Sequence, residues 1–252
     1  MTFRSFTLSF AAMDILFTEH RLGLAPFPFE IPGHGRTLAQ RADIRRAVFA
    51  DLERRNLAVR GRIEPDVEEA LALLVRPRLA ITGFGDLGGG HTLCARLGAL
   101  GNRAVVAVRQ GQTVRFDAIR ETALVSTAVG LLPQHRPGPG QSVTIELTAP
   151  PAEAGAIEPV RPHRTSRSAQ ARAVQAMLAP PKLRLGQLQA HARDRHGRQS
   201  SAPCLFWFDT ADGRYLTVGS ARADGARWTT YAPADNQRIA RHLSGQLAHL
   251  TG

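Results

Sequence analysis

Residues 79–111 read LAITGFGDLGGGHTLCARLGALGNRAVVAVRQG, two apolar runs joined by a glycine-rich centre. Gly83, Gly85 and Gly88 form a literal GxGxxG, the spacing of the turn that binds the pyrophosphate of dinucleotides. The same letters also suit a hairpin loop between two antiparallel strands. The first interpretation predicts an oxidoreductase with a parallel sheet. The second predicts antiparallel strands and no dinucleotide cofactor.

The residues around the glycines favour the hairpin. A dinucleotide turn opens a crossover helix, and an acidic residue after the next strand binds the ribose hydroxyl. Here Leu93, Ala95 and Leu97 alternate with period two, as in a strand, and Arg109 stands where the acid is required. An arginine could bind the 2′-phosphate of NADP, so an NADP-dependent oxidoreductase stays as an alternative. We predict a flexible hairpin loop over Gly85–Gly90 and no cofactor.

The chain contains two similar half-units. The segments LLVRPRL and MLAPPKL begin at residues 73 and 177, 104 residues apart, and each leads from a helix into a strand-rich meander and a closing helix. We therefore predict an α/β (α+β) single domain over 1–252, with half-units of about 1–135 and 136–252. Strands from both halves are expected to share one sheet, and a proline-rich linker is expected at about 148–164.

Apolar periodicity and capping residues predict the individual elements. Thr37 is expected to cap one helix, Pro65 to begin the next, and a further helix is expected from near Asp117 to before Pro133. The remaining predicted helices are 11–20, 166–181 and 233–250. The predicted strands are 4–10, several within 79–116, and then 141–147, 185–192, 204–209, 215–220 and 228–232.

Positive charge is concentrated in one segment. Residues 159–200 hold nine Arg or Lys against the single acid Asp194, which is +8 of the net +11. A basic nucleic-acid-binding protein is therefore an alternative function. The segment has no aromatic residue for base stacking, because none occurs between Phe116 and Phe206. The sequence thus favours a solvated arginine-rich surface and argues against nucleic acid as the main partner.

The residue types that carry chemistry are sparse. Cys94 and Cys204 form neither a CxxC pair nor a disulfide framework, and the nine histidines are scattered without metal-ligand spacing. No nucleophile motif or P-loop is present. Asp14 interrupts the apolar start of the chain, and no run reaches the length of a membrane span. We expect a cytoplasmic protein with no catalytic residues, no metal and no membrane span.

Aromatic residues cluster in the second meander. Alternation puts Phe206 and Phe208 on one face of a strand and Trp207 on the other, so both faces require cover. Helices of the same chain could cover one face, and the other is either a partner surface or part of a two-sided core. The sequence leaves open which face that is, and it also leaves self-association open.

Five segments, in this order, resemble the EspG family, the cytosolic chaperones of type VII (ESX) secretion in actinobacteria. They are PFPFEIPGHGRTLAQR (26–41), LLVRP (73–77), LLPQHRPGPGQSVTIE (131–146), DTADGRYL (209–216) and PADNQRIARHLSGQL (233–247). The resemblance covers nearly the whole chain. It implies a single α/β domain of pseudo-two-fold halves with a central, largely antiparallel sheet and helical bundles, in agreement with the internal repeat.

The resemblance also implies an activity without chemistry. EspG proteins hold the exposed apolar tip of a helical PE–PPE secretion substrate and keep it soluble for export. Carried over by region, this predicts a partner-binding site on the sheet face and closing helix of the second half and on the loop between early strands. The site residues predicted there are Trp207, Tyr215, Thr217, Trp228, Arg238, Arg241, Gly85, Asp86, Gly88 and His91.

Overall fold

The computed structural model describes residues 5–147, 164–221 and 227–251, which form thirteen strands and six α-helices. The strands are β1 (Phe6–Ser9), β2 (Ala58–Val59), β3 (Arg62–Ile63), β4 (Leu79–Gly88), β5 (His91–Leu100), β6 (Arg103–Gln110), β7 (Thr113–Arg120), β8 (Val143–Leu147), β9 (Arg184–Arg193), β10 (Gln199–Ser201), β11 (Leu205–Thr210), β12 (Gly213–Ala221) and β13 (Arg227–Pro233). The helices are α1 (Phe10–Glu19), α2 (Leu38–Arg54), α3 (Pro65–Val75), α4 (Leu124–Gly130), α5 (Arg164–Leu178) and α6 (Asn236–Thr251).

The glycine-rich stretch folds as an antiparallel hairpin. Strands β4 and β5 pair along their length, with Leu79 opposite Ala99 and Asp86 opposite Thr92. Strands β6 and β7 continue the meander, each antiparallel to the one before. The hairpin interpretation is confirmed, although the loop is shorter than expected: β4 runs to Gly88, so the turn is Gly89–Gly90. The parallel strand–helix–strand unit that a dinucleotide turn requires does not form here.

Packing explains the glycines inside β4. A methyl group added at Gly85 would lie 2.4 Å from the Leu185 carbonyl oxygen and 2.5 Å from Gly186 Cα. Gly186 is the register partner of Gly85, and a methyl group there would come 3.0 Å from the Trp207 ring. Two glycines thus let β4 and β9 approach closely while the indole packs across them.

The two meanders share one sheet. Its strand order is β1-β7-β6-β5-β4-β9-β11-β12-β13-β8, with β10 paired to β9, and all these strand pairs are antiparallel. The first meander is β4–β7, and the second is β9, β11, β12 and β13; they meet at the β4–β9 pair. Each meander has one outer strand that precedes it in the chain, β1 for the first and β8 for the second. The predicted fold class is confirmed. The half-unit borders near 135 remain a prediction, and most of the expected linker, 148–163, lies outside the described residues.

Helices cover the two faces of the sheet unequally. We call the face that carries Cys94 and Phe84 the front face, and the face that carries Leu93 and Trp207 the back face. Helices α1, α2 and α3 pack on the front face of the first meander, and α5 contributes Met177 to a smaller front-face cluster of the second. Helices α4 and α6 cover the back face of both meanders.

Helix termini follow the local sequence. The Thr37 hydroxyl accepts a hydrogen bond of 3.2 Å from the backbone N–H of Gln40, as expected of the residue that caps α2. Pro65 begins α3, and Asp66 and Glu68 lie in its first turn, where carboxylates favour the positive end of the helix dipole.

One predicted helix is wrong at its start. The segment expected to be helical from near Asp117 continues instead as β7 to Arg120, and α4 begins only at Leu124. Strand β7 pairs with β6 on one side and β1 on the other, and the Phe116 ring stacks on Phe6 at 5.0 Å. Strand β7 is paired on both edges, and its alternate residues Val114 and Phe116 are buried. These tertiary contacts override the local helical pattern.

A fully buried arginine joins three distant segments of the chain. Arg214 makes a two-pronged ion pair with Asp209, with N–O distances of 2.6 and 2.9 Å, and both side chains are shielded from solvent. Its guanidinium also donates to Asn236 Oδ1 and to the Pro133 carbonyl, and it lies 4.9 Å from the centre of the Trp207 ring. We call this cluster the Arg214 network. It connects three of the segments that carry the family resemblance.

We predict that Gly85→Ala destabilises the protein by about 2 kcal/mol or more, because the new methyl group meets backbone atoms that cannot rotate away. Gly33→Ala is the matched control, since a methyl group there meets nothing within 4 Å. Urea unfolding followed by circular dichroism measures both. Equal stability of the two variants would contradict the close-approach role of Gly85.

We predict that Asp209→Asn costs about 3–5 kcal/mol of unfolding free energy, because it leaves the buried Arg214 charge without its counter-charge. The control is Asp51→Asn, whose ion pairs with Arg54 and Arg55 are exposed and should contribute about 1 kcal/mol at most. Thermal and urea unfolding of both variants test this. A loss at position 209 no larger than that at position 51 would refute a structural role for the pair.

Candidate partner-binding face

A gap between two helical layers exposes the centre of the front face. One row of register partners crosses seven strands, from Cys94 on β5 to Val143 on β8. Within it, Phe84 on β4 pairs with Gln187 on β9, which pairs with Phe206 on β11, and the row continues through Thr217 and Tyr231. Cys94 and Tyr231, near the ends of this row, pack against the helical layers. The middle of the row lies in the gap.

Apolar side chains dominate the floor and rim of the gap. Phe84, Phe206 and Leu185 are 47%, 49% and 52% exposed, and Leu185 lies on the same face one row away. Phe27, from the segment before α2, is 54% exposed, and its ring centre is 6.0 Å from that of Phe84. Phe84 and Phe206 are two strands apart, about 10 Å. We call Phe27, Phe84, Leu185 and Phe206, with Gln187 and Thr217 between them, the front-face patch.

The β4–β5 hairpin forms one end of the front-face patch. Asp86 lies opposite Leu185, and its carboxylate accepts a 2.7 Å hydrogen bond from the backbone N–H of Gly88. Arg184 Nε donates to the Leu87 carbonyl at 3.1 Å, which ties the hairpin to the start of β9. The predicted residues Asp86, Gly88 and His91 therefore lie beside the patch. Gly85 does not belong to an adaptable loop, because it is held in the central strand pair.

Two predicted contact residues are buried, so the expectation that they are accessible is wrong. Trp207 is 1% exposed and packs on the back face beneath α6 with Leu216 and Ile239. Tyr215 is 3% exposed; its ring stacks on Phe208 at 5.3 Å, and its hydroxyl donates to the Pro139 carbonyl. Alternation correctly put Phe206 and Trp207 on opposite faces, but the helices cover the tryptophan side.

The other predicted residues divide between the faces. Thr217 is half-buried on the front face, in the row of Phe206. Trp228 lies opposite Ser220 on the back face, where Arg238 and Arg241 line a groove beside α6. Arg238 donates to the Pro233 carbonyl at 2.9 Å and to Ser142 Oγ at 2.8 Å. The structure therefore does not bring the predicted residues together into one site.

The sequence reasoning missed Phe27, Phe84 and Leu185 as surface residues. Phe84 stands alone as a large side chain among glycines, and Phe27 lies in a proline-rich segment, so neither shows a periodic pattern. A signal did exist in β4, because Phe84 is flanked by Gly83 and Gly85, and its same-face neighbours on the strand are the polar residues Thr82 and Asp86. Only the sheet order places that residue beside Phe206.

Two basic groups, the buried Arg96 and the half-buried His191, lie further along the front face. Arg96 donates to the Leu74 carbonyl at 2.9 Å, and burial, followed by the charge of Arg193, lowers its pKa to about 10. His191 contacts Thr82 Oγ1 at 3.1 Å and Ser201 Oγ at 2.8 Å, and burial, followed by the charge of Arg96, lowers its pKa to about 4. His191 is therefore neutral at pH 7. Within the described ranges, no group of three or more His, Cys, Asp or Glu could hold a metal ion.

The fold and the front-face patch define an α+β protein in which the described helices leave the centre of one face of an antiparallel sheet uncovered. The chain belongs to the EspG family, whose profile matches residues 9–245. Its fold is similar to that of the type VII secretion system chaperone EspG5 of Mycobacterium tuberculosis, solved in complex with a PE25-PPE41 dimer. The two are 14% identical with a TM-score of 0.68, covering 97% of this chain and 96% of that chain.

Among curated proteins, none matches this chain. Within the described ranges, every helix is too short or too polar to cross a membrane.

We predict that acid destabilises the protein partly through His191. Its folded pKa lies below the ordinary 6.5, so between about pH 6.5 and 4 the unfolded chain binds more protons and stability falls as the pH is lowered. His191→Gln keeps a side chain that can hydrogen-bond to Thr82 and Ser201 but does not titrate. Its melting temperature should therefore fall less between pH 7.5 and 5 than that of the wild type.

The comparison isolates one group. His242, whose pKa is also lowered by burial and then by Arg238, is present in both proteins, so its contribution cancels in the difference. Parallel melting curves for the two proteins across this pH range would contradict the lowered pKa of His191.

Proposed function

We propose that this protein is a cytoplasmic, non-enzymatic chaperone for type VII secretion. It binds the apolar tip of an α-helical, PE–PPE-like substrate, keeps that tip soluble and targets the substrate for export. The observation that carries the proposal is the front-face patch, in which four large apolar side chains, each about half exposed, face a gap between helical layers.

Exposed apolar surface of this kind requires a partner. Single apolar side chains on a surface are ordinary, but a contiguous patch rimmed by polar groups is typical of interaction sites. Burying such a patch removes apolar area from water on both partners at about 25 cal/mol per Å². The helical tip of a secretion substrate has the same need for cover, so mutual burial stabilises the complex.

The shape of the gap suits a helix. Strands form its floor, α1–α3 stand on one side and α5 on the other, so an apolar helix end can lie between them and contact Phe84 and Phe206 together. Gln187 and Thr217 lie in the same row and can hydrogen-bond to the backbone groups at a helix end. This arrangement supports binding and contains no paired acid and base.

The family supports the same assignment. The EspG5 structure with matching fold holds a PE25-PPE41 dimer, and a substrate of that kind is the client that we propose for this chain. The predicted residues Asp86, Gly88, His91 and Thr217 lie at or beside the front-face patch and stay in the proposed site. Trp228, Arg238 and Arg241 lie on the other face, and we leave them out of it.

We predict that Phe206→Ser and Phe84→Ser each weaken client binding at least tenfold, because each removes an anchor of about 1.4 kcal/mol or more at the centre of the interface. Both side chains are half exposed, so the fold should survive. The control is Leu38→Ser, an 89% exposed leucine outside the patch, which should bind like the wild type. The measurement is co-expression with PE–PPE-like pairs encoded beside the gene, followed by size-exclusion chromatography and calorimetry.

The outcomes separate the site from the function. Failure of the wild type to form a complex with any such pair would overturn the chaperone function. A stable complex that both patch variants bind normally would overturn the front-face patch as its site. Trp207→Ala is expected to lower stability by about 3–5 kcal/mol, since its ring is buried, and is unsuited to this test.

A further inference from the structure

A basic cleft lies at the other end of the central strand pair. It has a volume of about 810 Å³ and is bounded by the segment after α3 on one side and by the β9–β10 turn on the other. Its charged lining residues are Arg76, Arg78, Arg193, Asp194, Arg195 and His196. Gln187, at the centre of the front-face patch, and Arg193 are six residues apart on β9, about 20 Å.

The arginines of this cleft have no carboxylate partner within 5–147, 164–221 and 227–251. Among the described residues, Arg76, Arg78, Arg193 and Arg195 make no ion pair. Asp194, the one acid in the lining, is occupied with its own turn, where Oδ1 accepts hydrogen bonds from the backbone N–H groups of His196 and Arg198 at 2.8 and 2.9 Å. Elsewhere the same protein pairs its arginines readily, as Arg41 does with Asp14.

The walls of the cleft are held in place by the backbone. Arg193 N–H donates to the Arg78 carbonyl, and Arg78 N–H donates to the Ala99 carbonyl, both at 2.7 Å. Arg193 Nη1 donates to the Gly197 carbonyl at 3.1 Å, whereas its Nε is buried and has no hydrogen-bond partner within the described ranges. The backbone therefore holds both walls of the cleft in a fixed position.

The negative ends of two helices offset only part of this positive charge. Helices α3 and α6 both end at the cleft, and each C-terminus contributes roughly half a negative charge. Asp194 and the nearby Glu121 each add one full negative charge. Against these stand the four lining arginines and Arg96, which lies 94% buried beneath them in a small cavity shared with Arg78 and Arg193. Positive charge remains in excess.

We propose that this cleft binds an acidic peptide segment of a second partner protein. Guanidinium groups bind carboxylates in two-pronged pairs, and Leu100 and Leu250 offer apolar surface for the side chains between the acids. The lining contains no Phe, Tyr or Trp on which a nucleobase could stack. The cleft lies far enough from the front-face patch for the helical client and the acidic segment to bind at the same time.

The test is fluorescence anisotropy with a labelled hexapeptide of sequence DELDEL, using the full chain. The wild type should bind it with an affinity that falls as salt is raised. The double variant Arg193→Gln/Arg195→Gln should bind at least tenfold more weakly. Arg76→Gln/Arg78→Gln, on the opposite wall, should show the same loss, which guards against a local effect on the β9–β10 turn.

The matched control is Arg36→Gln/Arg62→Gln, which removes the same charge from exposed positions outside the cleft and should weaken binding less than twofold. Equal losses in the control and cleft variants, or no binding by the wild type, would overturn the proposal. It would also be overturned if a single-stranded oligonucleotide or a phosphatidylglycerol vesicle bound more tightly than the peptide and lost that binding in the cleft variants.

Discussion

The close approach of β4 to β9 at Gly85 and Gly186 is the contact on which the rest of the structure depends. These strands join the two meanders, and a methyl group at either glycine would overlap the backbone of the other strand. Trp207 packs across this pair from the back face and also touches the Arg214 guanidinium. The sheet junction, the back-face core and the Arg214 network are therefore one packed unit.

The open front face follows from this junction. Because the meanders meet edge to edge, each brings its own helical cover: α1–α3 on one side and α5 on the other. The junction lies between these layers, so none of the helices in the described part of the chain covers Phe84 and Phe206 on its front side. On the back face, α4 and α6 contact each other and close the same junction. A pseudo-symmetric sheet thus has one face that helices cover at the junction and one face that is open there.

The sequence anticipated most of the fold and little of the site. Alternation and the repeat predicted the meanders, their common sheet and the helix positions, because these depend on local periodicity. The prediction of a helix from Asp117 was wrong, because the pairing of β7 with strands on both of its edges outweighed the local helical pattern of the sequence. The predicted accessibility of Trp207 and Tyr215 was wrong, since periodicity assigns residues to opposite faces but contains no information on which part of each face the helices cover. Helix α6 covers Trp207 on the back face, and α5 packs near Tyr215 on the front face.

The sequence by itself favoured a hairpin at the glycine motif, predicted two similar half-units, and placed Phe206 and Trp207 on opposite faces of their strand. Tertiary structure alone decided which of these two rings is exposed. It also brought Phe27, Phe84 and Phe206 together, and Arg76 and Arg78 close to Arg193 and Arg195. The physical reason is distance along the chain: Phe27 and Phe84 are 57 residues apart, and the other partners are more than a hundred residues apart. Only strand order and helix packing place them side by side.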